Sequence, residues 1–117
     1  MLGWPSGPER ASLTQPMASA PNHGNTAPLI LVADDADANV ELLVDQLTTL
    51  GFRTVIARDA MSAIATCIEQ HPDLAILDVS MPAGELGVHD RDAGFEACRR
   101  VKRDPRTARM PVIFVPA

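Results

Sequence analysis

The chain has no tyrosine, one tryptophan, three phenylalanines and a single lysine, Lys102, among its 117 residues. With so few aromatics any core has to be assembled chiefly from Leu, Ile, Val and Ala, and the apolar content of 46% is enough for one domain of this length. Cations are scarce too. Ten Lys and Arg against fifteen Asp and Glu leave a net charge of -5, which argues against a nucleic-acid partner, because phosphate backbones are held by clustered Lys and Arg. The one basic cluster, Arg99 to Arg109, is interrupted by Asp104 and Pro105 and reads as a solvated helix end, where cations complement the dipole. Cys67 and Cys98 are the only cysteines and form no C-x-x-C pair. Neither a disulfide framework nor a zinc site is indicated, and both cysteines read as small buried hydrophobes. No apolar run approaches the ~20 residues of a membrane span, and the N-terminus lacks a charged region followed by an apolar stretch. A soluble cytoplasmic protein with no membrane partner is the expectation.

Proline, by contrast, is concentrated. Five of the ten prolines lie in residues 1–28, among Ser, Asn and Gly and without periodicity, the composition of a disordered tail. Trp4 is its one anchor-like residue and on this reading contacts nothing specific. From Pro28 onward short apolar runs alternate with helical patterns, as in βαβ units around a parallel sheet. Leu29 to Ala33 reads as a strand. A helix follows, capped by Asp37, with Val40, Leu43, Val44, Leu47 and Leu50 on one face and Gly51 at its end. Phe52 to Ala57 is the second strand. Asp59 caps a second helix with Met61, Ile64, Cys67 and Ile68 inward, and Pro72 blocks its continuation. Leu74 to Leu77 is the third strand. A third helix starts near Ala93 or Gly94, presents Phe95, Cys98 and Val101, and stops at Asp104-Pro105. Val112 to Val115 is the fourth strand. The expected fold class is α/β, with four strands and three helices over residues 29–117.

Two of these strands end in acid: Leu31-Val32-Ala33 runs into Asp34-Asp35, and Leu74-Ala75-Ile76-Leu77 runs into Asp78, followed by Val79-Ser80-Met81-Pro82. A parallel sheet delivers both ends to one edge, which is where ligands of open α/β sheets sit. Carboxylates gathered there repel one another and raise at least one pKa unless a cation compensates. Magnesium suits such a place, since it takes hard oxygen ligands, commonly one or two carboxylates plus a phosphate. With the metal bound, Asp78 can attack a phosphoryl group in line and form an acyl phosphate. Asp is also common at strand ends and helix caps, which accounts for any one of the three acids alone. It accounts poorly for two strands ending alike, the second followed by Met-Pro. A phosphatase of the haloacid dehalogenase type needs a second acid two residues after its nucleophile, where Ser80 stands. A dinucleotide fold needs a glycine-rich turn, which Ala33-Asp34-Asp35-Ala36 does not offer.

Taken together, Leu31-Val32-Ala33-Asp34-Asp35, Leu77-Asp78-Val79-Ser80-Met81-Pro82, Gly94-Phe95-Glu96 and Pro111-Val112-Ile113-Phe114-Val115 resemble the receiver domain of bacterial two-component response regulators, over Leu29 to Ala117. The resemblance implies a flavodoxin-like doubly wound parallel sheet and Asp78 as the phosphoacceptor. It also implies Mg²⁺ bound directly by Asp35 and partly through water by Asp34, with Asp78 and the backbone carbonyl of Ser80 completing the metal site. Phosphotransfer would come from a histidine kinase or a histidine phosphotransfer protein, the chain being an acceptor and not an enzyme with its own substrate.

The family pattern has five strands and five helices, so a receiver truncated after its fourth strand is expected. The lysine that follows the fifth strand has no counterpart, because Lys102 lies in the third helix pattern. Pro116 stands where a hydroxyl residue is expected at the end of the fourth strand. These departures set a second reading beside the first, a degenerate receiver that is only an interaction module or a non-functional fragment. A fourth strand at the sheet edge is expected to favour self-association. Between Pro82 and Gly94 the chain is expanded and carries Glu85, His89, Asp90 and Asp92, expected to form a solvated surface loop.

Overall fold

Four parallel strands and three helices alternate along the chain in the computed structural model, which describes residues 26–116. The elements are β1 (Leu29–Ala33), α1 (Asp37–Thr49), β2 (Arg53–Ala57), α2 (Ala60–Gln70), β3 (Leu74–Asp78), two 3-10 turns (Gly84–Leu86 and Asp90–Asp92), α3 (Ala93–Arg103) and β4 (Val112–Val115). The sheet order is β2-β1-β3-β4. The chain therefore moves outward from β1 to β2, then crosses back past β1 to β3. Right-handed crossovers put α1 on one face and α2 and α3 on the other. The direction of winding reverses between β1 and β3, the switch point where doubly wound sheets open a crevice. Register completes the arrangement. Ala33 pairs with Leu77, so the residues that follow them, Asp34 and Asp78, leave adjacent strands at the same level.

Burial on both faces explains why β1 and β3 are almost uninterrupted apolar runs. Leu31, Ala33, Ala75 and Leu77 join Ala60, Ala63 and Cys67 of α2 and Ala97 and Val101 of α3 in the main core. The opposite face is thinner, and Val40 is the buried residue of α1 there. Small residues decide how α2 sits. Its Ala60, Ala63 and Cys67 face the sheet closely, which leaves Met61, expected inward, 44% exposed. Leu50 is likewise outside the α1 contact, and Phe95 of α3 lies half-exposed with its ring edge-to-face on Phe114, centroids 4.9 Å apart. Cys98 is half-buried where full burial was expected, while the buried Cys67 thiol is pushed up to about 11 by desolvation, with a contribution from Cys98.

Two helix ends follow the local chemistry read from the sequence. Asp59 caps α2 by accepting the Ser62 N–H at 2.8 Å. Past α1, Gly51 takes φ +96° while Phe52 N–H bonds to Leu47 O and Gly51 N–H to Thr48 O, the paired bonds of a Schellman ending. Asp37 does not cap α1. The cap position is Ala36, without a side-chain bond, and Asp37 in the first turn pairs with Arg58 across from β2.

The expansion between β3 and α3 is a surface segment with Glu85, His89, Asp90 and Asp92 exposed, as expected, but it is anchored from beneath. Met81, Ala83 and Leu86 are buried in the core. The Asp90 carbonyl accepts the Met81 N–H at 3.1 Å and its carboxylate accepts the Ala83 N–H at 3.0 Å. Arg100 donates to the Leu86 carbonyl at 3.0 Å. One of the loop's polar side chains, Asp90, thus satisfies a backbone group that would otherwise be unpaired. The basic cluster lies exposed at the end of α3, as expected, and is ion-paired there. Glu96 accepts from Arg99 and Arg100, Arg106 pairs with Asp104 at 2.7 Å, and Lys102 donates to the Met110 carbonyl.

Residues 1–25 of the expected tail lie outside the described residues. Within its last three, the Ala27 and Pro28 carbonyls accept hydrogen bonds from the Arg53 side chain and N–H, each at 2.9 Å. Among the described residues no helix is long and apolar enough to cross a membrane.

Candidate functional site

At the carboxyl edge of β1 and β3, Asp34, Asp35 and Asp78 each place one carboxylate oxygen within 4.8 Å of the others. Their environments differ. Asp34 is 2% exposed and Asp78 6%, whereas Asp35 is open to solvent. The end of β1 at Ala33 is the cause, because Asp35 falls in the bend that leads into α1. Asp34 is still held by the sheet through its N–H on the Ala57 carbonyl at 3.1 Å, and Asp35 is the first residue to turn outward.

Each buried acid is oriented by the segment that follows it. The Asp34 Oδ1 accepts the Ala36 N–H at 2.9 Å and its Oδ2 accepts the Asn39 side-chain amide at 3.1 Å. The Asp78 Oδ1 accepts the Ser80 N–H at 3.1 Å. The turn after Asp78 is pinned on both sides, by Val79 N–H on Val115 O at 3.2 Å and by Gly94 N–H on Val79 O at 2.9 Å. Gly94, the second residue of α3, lies directly against this turn. A Cβ there would stand 2.8 Å from Val79 Cα and 3.0 Å from Asp78 C, and closer still to the Asp78 carbonyl oxygen.

Burial holds the Asp78 carboxyl above its ordinary range, and the negative charges of Asp34 and Asp35 and a hydrogen bond with Asp34 add to the rise. The Ser80 amide works in the other direction. Three hard anionic oxygens with no sulfur or imidazole among them suit a divalent cation of the magnesium type and not a soft metal, and the raised Asp78 pKa marks the charge such a cation would offset.

The structure thus brings together the three acids picked out in the sequence, with Ser80 in the adjoining turn. Glu85, His89, Asp90 and Asp92 do not join them, and among the described residues no second group of three potential ligands forms. Lys102 is tied to backbone carbonyls beyond the other end of α3. Two residues were missed. Asn39 sits among the polar positions of an amphipathic helix, with nothing in its spacing to mark a tie back to Asp34. Gly94 belongs to the Gly94-Phe95-Glu96 match, but its contact with Asp78 needs the packing of α3 on β3.

The sequence profile of the response regulator receiver domain family matches residues 30–117. Response regulator PleD of Caulobacter vibrioides is 39% identical over 88 residues, which are 75% of this chain and 18% of PleD. A response regulator receiver protein of Methanoculleus marisnigri superposes its N-terminal domain with a TM-score of 0.63 at 31% identity, covering 74% of this chain and 64% of that one. The receiver domain of a Pseudomonas aeruginosa sensor histidine kinase, solved with a magnesium ion in its active site cleft, gives 0.65 at 25% identity and covers 75% and 66%. The chain spans less than a fifth of PleD and about two thirds of these two structures.

Proposed function

Because the chain belongs to the response regulator receiver domain family, we propose that it is a cytoplasmic phosphoacceptor of two-component signalling, taking a phosphoryl group onto Asp78 from a histidine kinase or a histidine phosphotransfer protein. The observation that carries this reading is the meeting of Asp34, Asp35 and Asp78 within 4.8 Å at the edge of β1 and β3. Asp34, Asp35, Asp78 and the Ser80 backbone carbonyl would hold Mg²⁺, which when bound supplies the positive charge that offsets the acids and the phosphoryl oxygens.

Asp78 is the acceptor because it ends a strand and cannot swing away. The Ser80 N–H occupies its Oδ1, which leaves Oδ2 to attack phosphorus while the bond to the donor nitrogen breaks and its electron pair returns to the imidazole. The product is an acyl phosphate. Arg99, Arg100 and Arg103 pair with Glu96, Arg106 with Asp104, and Lys102 with the Met110 carbonyl, which counts against a nucleic-acid surface there. A second reading, an interaction module without a productive switch, is favoured by Pro116, which follows β4 and offers neither a hydroxyl nor an N–H.

Thermal unfolding with and without millimolar Mg²⁺ tests the site, since a ligand bound only by the native state raises the midpoint. We expect a cooperative transition shifted upward by Mg²⁺ in the unsubstituted chain and unshifted in Asp35→Ala. Equal shifts in both proteins would remove Asp35 from the metal site.

Self-association through β4 is part of the same proposal. Among the described residues the outer edge of β4 pairs with no strand, and Ile113 on it is half-exposed. Such an edge is a template for another strand. Sedimentation at micromolar concentration should show a dimer or larger species, and a monodisperse monomer would sink the idea.

A further inference from the structure

We infer that Asn39 is a positioning residue of the acidic site, whose side-chain amide locks Asp34 in one orientation and so leaves Asp35 as the mobile carboxylate that closes on a divalent cation. The inference rests on the metal reading above and assigns a task to a residue outside the acid cluster.

A carboxylate can rotate about its terminal torsion and offers two oxygens with two lone pairs each. Asp34 has lost that freedom. Its Oδ1 holds the Ala36 N–H at 2.9 Å and its Oδ2 holds the Asn39 amide at 3.1 Å, and it shares a further hydrogen bond with Asp78, so both oxygens are held in direction. Asp35, one residue on, is exposed and accepts no side-chain hydrogen bond from a described residue. One acid of the pair is therefore preset and the other adjustable.

Helix capping does not explain Asn39. It is the third residue of α1, and its donor goes to a carboxylate three residues before the helix, whereas the first intrahelical bond, Val40 N–H to Ala36 O at 3.1 Å, forms without it. The amide is also neutral, so it orients Asp34 without cancelling charge that a cation needs. Removing an outer partner of a ligating carboxylate typically costs 10- to 100-fold in metal affinity.

The test uses the full chain and titrates Mg²⁺ and Ca²⁺ separately against the unsubstituted protein, Asn39→Ala, Asp34→Asn and the double variant, with calorimetry as the readout. Asn39→Ala should raise the half-saturating Mg²⁺ concentration by roughly tenfold. In the Asp34→Asn background the same change should do little, because the partner it acts through is already altered. A freed Asp34 also adds an adaptable ligand, which suits the larger, less demanding Ca²⁺. Asn39→Ala should accordingly weaken Mg²⁺ more than Ca²⁺, a ratio that a general loss of stability does not move. Unchanged Mg²⁺ affinity in Asn39→Ala, or the same factor in both backgrounds, overturns the positioning role while leaving the metal site standing. No Mg²⁺ response from the unsubstituted chain overturns the metal reading and the positioning role together.

Discussion

Gly94→Ala is expected to lower the thermal midpoint by about 10 °C or more, on the scale of 4–8 °C per kcal/mol for a domain of this size. Helix propensity alone points the other way, because alanine is favoured over glycine inside a helix by up to about 1 kcal/mol. Packing decides the sign. The added Cβ would lie 2.8 Å from Val79 Cα and 3.0 Å from Asp78 C, and both are backbone atoms that cannot turn aside as a side chain would. Overpacking costs about 1–3 kcal/mol where side chains can adjust, and here the strand end or the helix start must move instead. The displaced group is Asp78 itself, so Mg²⁺ binding should weaken along with stability. A thermal melt followed by circular dichroism checks the prediction, and an unchanged or raised midpoint would show that α3 does not rest on the Asp78–Val79 turn.

Asp78→Asn is expected to abolish labelling by acetyl phosphate and, in the same protein, to raise the metal-free midpoint at neutral pH. The first effect follows from loss of the nucleophilic oxygen. The second follows from the direction of the Asp78 pKa, which burial and the neighbouring acids hold above the ordinary 3.8. A carboxyl raised on folding favours its protonated form in the native state. Its contribution is therefore fully present below pH 3.8 and is lost as pH rises through the higher folded value. At neutral pH the unsubstituted chain carries an ionised acid it would be more stable without, and asparagine has the same shape with no charge. Midpoints measured against pH in the presence of a chelator should separate as pH rises and converge at the acid end. Mg²⁺ should close the gap from the unsubstituted side. Labelling that persists in Asp78→Asn would place the acceptor on another residue, and parallel curves across pH would mean that the Asp78 charge is not under strain.

These two predictions draw on different layers of the molecule. The acid prediction was legible along the chain, because an apolar run closed by Asp78 and Met81-Pro82 states both the strand and what stands at its end. The capping of α2 by Asp59, the glycine stop at Gly51 and the bounds of β4 were legible for the same reason, since each depends on residues within about five positions of one another. Tertiary structure decided what depends on distant partners. It turned Leu50, Met61 and Phe95 away from the core, since helical spacing names an apolar face but not how far the sheet extends beneath it. It anchored the exposed segment 81–92 through buried Met81, Ala83 and Leu86, because Leu86 and Asp90 find partners on α3 and on their own backbone that no periodicity announces. It also set Asp34 level with Asp78 through the pairing of Ala33 with Leu77. The sequence by itself determined which groups this protein has to work with and where each strand and helix delivers them. Only the packing of the elements decided which groups are buried, which are oriented and which stay free, because burial and register arise from contacts between segments far apart in the chain.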